Sequence, residues 1–236
     1  MYEFTILVPV YNEEDNVPRL GEALSGYLPK ASRKTSVLFI DDGSSDNSLA
    51  LLREMCRNND SFHYISLDRN RGLSAALKAG FDYTKSDLTG YMDADLQTNP
   101  VDFEKLLPFI QDYHLVNGVR VDRADSPVKN LSSTIANRIR RAFTHDGMDD
   151  TGCPLKVIRT SSAKKIPMFR GLHRFLPAMI LLQQGRIIQV PIQHYPRMAG
   201  QAKFGLWNRI WGPLMDCFAY LWMKKKYINY EINEEG

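Results

Sequence analysis

Short runs rich in Val, Ile, Leu and Phe alternate with segments of helical period through the first half of the chain, which predicts βαβ units around a mostly parallel sheet. Strands are expected near "FTILVPV" (4–10), "SVLFIDD" (36–42), "FHYISLD" (62–68), "TGYMDAD" (89–95) and "HLVNGVR" (114–120). Between them, "NVPRLGEALSGYL", "NSLALLREMC", "GLSAALKAGFDYT" and "VDFEKLLPFI" carry apolar residues at helical spacing behind a capping or turn residue. The polar segment 121–134, with Pro127, reads as a loop before a basic helix, "IANRIRRAF". Beyond it "DTGCPLKVIRT" and "GRIIQVPIQHYPR" look like two more strands flanking a helix in "RFLPAMILLQQG". With 236 residues, 44% of them hydrophobic, there is apolar mass enough for one large core.

Charge and cysteine usage narrow the function classes. A net charge of +3, with no basic run interleaved with aromatics, speaks against nucleic acid as a partner. The three cysteines, Cys56, Cys153 and Cys217, are far apart and show no metal-ligand spacing, which fits a reducing compartment. The N-terminus enters a strand-like run at once and lacks the pattern of a signal peptide, so a cytoplasmic protein is expected.

In open α/β sheets ligands bind beyond the carboxyl ends of the strands, and there the chain is richest in chemistry. In an extended chain side chains at i and i+2 share a side, so Asp93 and Asp95 are expected to face one point at the end of the fourth strand. Two convergent carboxylates suit a hard divalent cation, Mg²⁺ or Mn²⁺, and Gln97 is placed to add an oxygen. Alone, Asp-x-Asp fits a solvated turn or helix cap equally well. The other strand ends tip the balance: "PVYNEE" (9–14), "DDGSSD" (41–46) and "DRNRGLSAA" (68–76) add acceptors, donors and turn glycines. Asp41 or Asp42 can accept from a base N–H or a ribose hydroxyl, and the backbone at Gly72 can approach a phosphate.

In this order and spacing, "VPVYNEE", "DDGSSD", "NRGLSAA" and "DADLQ" resemble the inverting family 2 glycosyltransferases of GT-A fold, over residues 4 to about 205. The resemblance implies a nucleotide-diphospho-sugar donor held by Pro9, Tyr11, Glu13, Asp41, Asp42, Asn70, Gly72 and Asp93, with Asp93, Asp95 and Gln97 on the metal. In the second half, "NGVRVDR", "IANRIRRAF", "DTGCPLKVIR", "HRFLPAM" and "VPIQHYPRMAGQAKFG" look like the polyprenyl-phosphate sugar transferases, the group of dolichyl-phosphate mannose synthase and its undecaprenyl-phosphate relatives. Two positions depart from that pattern: Gly200-Gln201-Ala202-Lys203 replaces Gly-x-Ser-Lys, and Ser74 stands where a second Gly is common.

Sugar transfer from a nucleotide diphosphate builds negative charge on the departing phosphates, which a metal and nearby cations must stabilise. Arg197 and Lys203 are the candidates for that role. A lipid phosphate is already ionised, so it needs positioning more than a general base, and Arg120 and Arg138 are placed to grip it, with Arg140 and Arg141 nearby. Asp150 could orient an arginine, or serve as base if the acceptor were a hydroxyl on a surface glycan. His173 and Arg174 rank below these. A nucleotide-sugar-binding module without catalysis is the remaining alternative.

Residues 1–205 are thus expected to form the catalytic domain and 206–236 an amphipathic tail. From Trp207 to Trp222 the residues Trp207, Ile210, Trp211, Leu214, Phe218, Leu221 and Trp222 recur at three and four, with Asn208, Arg209 and Asp216 opposite. With interior charges this segment falls short of the roughly 20 apolar residues of a membrane span. Three tryptophans and the basic run 224–226 suit a peripheral helix at the inner face of the cytoplasmic membrane. The same stripe could instead pack on the catalytic domain or on a second copy in a homo-oligomer.

Overall fold

The computed structural model describes residues 1–121, 137–195, 211–229 and 234, without the side chains of 211–213. The strands are β1 (Phe4–Val10), β2 (Thr35–Asp41), β3 (Phe62–Ser66), β4 (Leu88–Tyr91), β5 (Leu115–Val121), β6 (Lys156–Arg159) and β7 (Ile187–Gln193). They form one sheet in the order β3-β2-β1-β4-β6-β5-β7. β6 runs antiparallel to both neighbours, and every other described pairing is parallel. The helices are α1 (Val17–Tyr27), α2 (Ser48–Arg57), α3 (Leu73–Tyr83), α4 (Phe103–Leu106), α5 (described over 137–144), α6 (Thr160–Lys164), α7 (Leu176–Leu182) and α8 (Trp211–Lys226). This is the expected α/β architecture, a mostly parallel sheet flanked by helices.

β1 shows why the strands read as nearly unbroken apolar runs: Phe4, Ile6, Val8 and Val10 enter one buried cluster with α1, α2 and α4, whereas Leu7 enters the other with α3 and α7. Two expectations need correction. The single helix expected over 101–110 is a broken one, a 3₁₀ turn (Pro100–Asp102), α4, and a second 3₁₀ stretch (Leu107–Gln111), because Pro108 has no N–H to continue an α-helix. The fourth strand ends at Tyr91, so Asp93 and Asp95 lie on the turn that follows rather than on the strand itself.

The tail helix also packs differently from its hydrophobic stripe. Cys217 and Tyr220 are the buried pair, with Tyr220 stacked on Phe175 at 5.8 Å, while Met215, Phe218 and Trp222 stay 64%, 52% and 68% exposed. Asp216, expected on the far side, faces inward, 3.7 Å from Arg174. Cysteine and tyrosine weigh little in a hydrophobicity pattern yet pack well, so the docked stripe was hidden and the conspicuous one lies outside. Trp207, Asn208, Arg209 and Ile210 lie outside the described residues. Among the described residues no helix is long and apolar enough to cross a membrane.

Candidate active site

The carboxyl ends of β1, β2 and β3 are joined to each other by their own polar residues. Asn12 takes a left-handed conformation (φ 50°), its Oδ1 accepts from the Ser45 N–H at 2.8 Å, and its N–H donates to Ser44 Oγ at 3.0 Å. The Glu13 N–H donates to Ser48 Oγ, and Glu13 Oε2 accepts from the Asn16 amide. Asp42 receives the N–H groups of Arg71 and Gly72, one on each oxygen, both at 2.8 Å. Asp41 receives Ser44 N–H at 3.1 Å and Ser66 Oγ–H at 2.7 Å. The family resemblance gives Asp41 and Asp42 to a nucleotide; here both are buried and tie together the loops that follow β2 and β3. Pro9 and Tyr11 are half-buried, Asn70 is exposed, and Gly72 opens α3 at φ 88°.

Gly43 (φ 69°) sits where these loops touch, and a Cβ there would lie 2.3 Å from the Arg69 carbonyl carbon and 2.6 Å from the Asn70 nitrogen. Backbone cannot swing aside as a side chain can. Gly43→Ala is therefore expected to lower stability by about 2–4 kcal/mol and to weaken nucleotide binding more than a remote substitution of equal cost, as thermal melts with and without nucleotide would read.

Past β4, Asp93 and Asp95 lie off the strand and close enough for the Asp95 charge to act on Asp93, and the chain then turns through Leu96 (φ 54°). Burial first and the neighbouring Asp95 second push the Asp93 carboxyl up to about 6. Their charges thus converge in a poorly solvated place, the condition a divalent cation relieves. Tyr91 Oη donates to Asp93 Oδ1 at 2.7 Å, and the Gln97 N–H donates to Asp95 Oδ1 at 3.2 Å. The end of β7 clips on: the Tyr195 N–H donates to the Gln97 carbonyl at 3.0 Å.

Arg120, at the end of β5, is paired bidentately with Asp150, Nε to Oδ2 at 2.7 Å and Nη2 to Oδ1 at 3.0 Å. Asp150 therefore orients an arginine, one of the two roles its sequence context suggests. Two groups beneath build that loop: Asn117 Nδ2 donates to the Asp150 carbonyl at 3.0 Å, and Lys156 Nζ donates to the Thr151 carbonyl at 3.2 Å and to that of Cys153. Lys156 is 1% exposed and lies 5.8 Å from the Tyr91 ring centre, so one buried cation joins the Arg120 loop to the Asp93 turn. Burial lowers its pKa, and Cys153, Asp150 and Asp93 oppose that.

Of the other predicted cations, Arg138 is exposed on α5, and Arg141 is exposed and paired with Asp149. Arg140 is buried, bound to Asp146 and to the Met148 carbonyl, so it is a structural residue rather than an aid to substrate binding. Arg197 and Lys203 lie outside the described residues. Sequence reasoning passed over Tyr91, Lys156 and the contact of Ser74 with His173; a lysine inside the apolar run "PLKVI" was the available signal for one of them.

A family model described as "Glycosyl transferase family 2" matches residues 5–166. The chain belongs to glycosyl transferase family 2. A curated relative, undecaprenyl-phosphate 4-deoxy-4-formamido-L-arabinose transferase of Edwardsiella ictaluri (strain 93-146), is 32% identical over 208 residues, 87% of this chain. The chain spans 64% of the length of that relative. Among solved structures, glucosyl-3-phosphoglycerate synthase from Mycobacterium tuberculosis with phosphoglyceric acid superposes with a TM-score of 0.72 at 15% identity, over 97% of this chain and 81% of that one. The same synthase with Mn²⁺, uridine diphosphate and glucosyl-3-phosphoglycerate gives 0.72 at 13% identity, with the same coverage. At these identities the likeness is one of fold.

Proposed function

We propose that this family 2 member is a metal-dependent, inverting transferase that moves a sugar from a nucleotide-diphospho-sugar to a polyprenyl phosphate. Supporting this is one juxtaposition: Asp93, its carboxyl raised by burial and by the neighbouring Asp95, lies past the end of β4 within electrostatic reach of Arg120, a half-buried arginine held in bidentate geometry at the end of β5. In this reading the crevice of Pro9, Tyr11, Glu13, Asp41, Asp42, Asn70 and Gly72 takes the nucleotide, and Asp93, Asp95 and Gln97 hold Mg²⁺ or Mn²⁺. The bound ion supplies charge to stabilise the departing diphosphate. Arg120 and Arg138 orient the acceptor phosphate, and Arg197 and Lys203 complete the leaving-group side. Asp150 serves Arg120 and needs no role as a base.

The relative's name, an undecaprenyl-phosphate transferase, supports the acceptor class, and the complexes of the mycobacterial synthase with Mn²⁺ and uridine diphosphate support the metal and donor class. A thermal-shift panel tests the donor side: UDP, UDP-glucose, UDP-N-acetylglucosamine, GDP and GDP-mannose, each with Mn²⁺ or with EDTA. At least one nucleotide should raise the melting temperature only with metal. If none does, the donor assignment fails.

Residues 1–205 act in this reading as the catalytic domain, with 206–236 as a tail at the inner face of the cytoplasmic membrane. The exposed Met215, Phe218 and Trp222, followed by exposed Lys224, Lys225 and Lys226, are an apolar face beside a basic end, suited to an anionic lipid surface. Phe218→Ser with Trp222→Ser should reduce sedimentation with phosphatidylglycerol vesicles about tenfold or more while leaving nucleotide binding unchanged. Undiminished sedimentation would remove the tail from the membrane account.

A further inference from the structure

Ser74, the residue that departs from the family pattern, is 5% exposed at the start of α3 and serves the loop that leads into α7. Its Oγ accepts the N–H of Gly171 at 3.1 Å and that of His173 at 3.4 Å, and it lies 2.9 Å from His173 Nδ1. A serine hydroxyl has two lone pairs and one proton. With both lone pairs facing N–H donors, the contact to Nδ1 is made by the hydroxyl proton, so Nδ1 accepts and the ring carries its own proton on Nε2. Among the described residues Nε2 has no protein partner. The ring stays neutral: burial first, then the charges of Arg174 and Lys156, hold its pKa down at about 3.

His173 lies within electrostatic reach of Lys156, whose ammonium sits against the Tyr91 ring, and Tyr91 holds Asp93. Arg174 is also within reach of Tyr91 and is tied to Asp216 of α8. In sheet order the proposed nucleotide crevice belongs to β3, β2 and β1, the metal turn to β4, and the acceptor arginine to β5. In the reading proposed above, with the nucleotide on β3 to β1 and the diphosphate at the β4 turn, the portion of the donor nearest β6 and β5 would be the sugar. An uncharged, oriented N–H suits an uncharged hydroxyl, where a cation would be wasted.

We propose that His173 is a donor-binding residue whose Nε2–H bonds a hydroxyl of the transferring sugar, and that Ser74 is the positioning residue that fixes its tautomer and ring. This rests on the proposed function, and the test separates the two. For whichever nucleotide gives the largest shift in the panel, the nucleoside diphosphate and its sugar conjugate, UDP and UDP-glucose for example, are titrated with Mn²⁺ by calorimetry. His173→Ala should weaken the sugar conjugate about five- to thirtyfold and leave the diphosphate alone unchanged, with His173→Gln recovering part of the loss. Ser74→Ala should show the same selectivity at smaller size, and long-range ¹H–¹⁵N spectra of the wild type at pH 7 should show the His173 proton on Nε2. Equal weakening of both ligands, no weakening of either, or a proton on Nδ1 would each overturn the inference while leaving the transferase reading in place. A wild-type chain that binds no member of the panel would overturn both.

Discussion

Asp95→Asn is expected to lower sugar transfer about 10²–10³-fold, and Asp93→Asn by as much, because in the proposed reading each removes half the charge that would hold the ion against the departing diphosphate. The two should differ in stability. The native fold raises the Asp93 carboxyl from 3.8 to about 6, so the native chain binds that proton more tightly than the unfolded one. Native stability therefore falls as pH rises through the window from 3.8 to about 6, and the ionised carboxylate remains a burden at pH 7. Asn keeps an oxygen for the Tyr91 hydroxyl and carries no charge. Metal-free Asp93→Asn is then expected to be more stable than the wild type at pH 7 by about 1–3 kcal/mol, and no more stable below pH 4. Urea melts at the two pH values read this directly. An inactive variant that is also less stable at pH 7 would mean that Asp93 serves the fold and not an ion.

Arg120→Ala should be nearly as damaging to transfer, for a different reason. Loss of the guanidinium removes the proposed grip on the acceptor phosphate and leaves Asp150, with 6% of its side chain exposed, without that partner in place. Transfer is expected to fall about 10²–10³-fold through the acceptor KM and kcat, with nucleotide affinity unchanged and stability lowered by about 3 kcal/mol. The double variant Arg120→Ala with Asp150→Asn separates the two effects: it should recover much of the stability and none of the activity. Recovery of both would make the pair a structural ion pair and move the acceptor elsewhere. Arg120→Lys keeps the charge but loses the fork and should fall between.

The fold and the site were legible in the sequence to different depths. Buried parallel strands announce themselves as apolar runs, so β1 was placed to the residue, whereas the fourth run reached four residues past β4 and the run "DTGCPLKVIRT" began six residues ahead of β6. The acidic segment after β4 was reached through an argument the structure replaces. Asp93 and Asp95 lie past the last residue of β4, Tyr91, so their proximity belongs to the irregular segment after the strand, ahead of a left-handed turn at Leu96, a residue with no obvious preference for one. The break in the helix over 101–110 was written in Pro108 and overridden by the helical spacing around it. Contacts across long sequence separations were the least visible. Ser74 and His173 are 99 positions apart, and no local pattern says that a serine at the start of one helix fixes the tautomer of a histidine near another. The tail's stripe was open to two uses, a membrane or the catalytic domain; Phe218 and Trp222 stay exposed, and the docked face is that of Cys217 and Tyr220 with the inward Asp216, which no hydrophobicity pattern marks.

The most direct measurement is product analysis. The purified chain is incubated with the donor selected by the thermal-shift panel and with undecaprenyl phosphate, once with Mn²⁺ and once with EDTA, and the lipid fraction is analysed by mass spectrometry. A lipid phosphate heavier by one sugar, formed with metal and absent with chelator, is the predicted result. Donor consumption that never yields the lipid-linked sugar, or the same yield with and without chelator, would contradict the account.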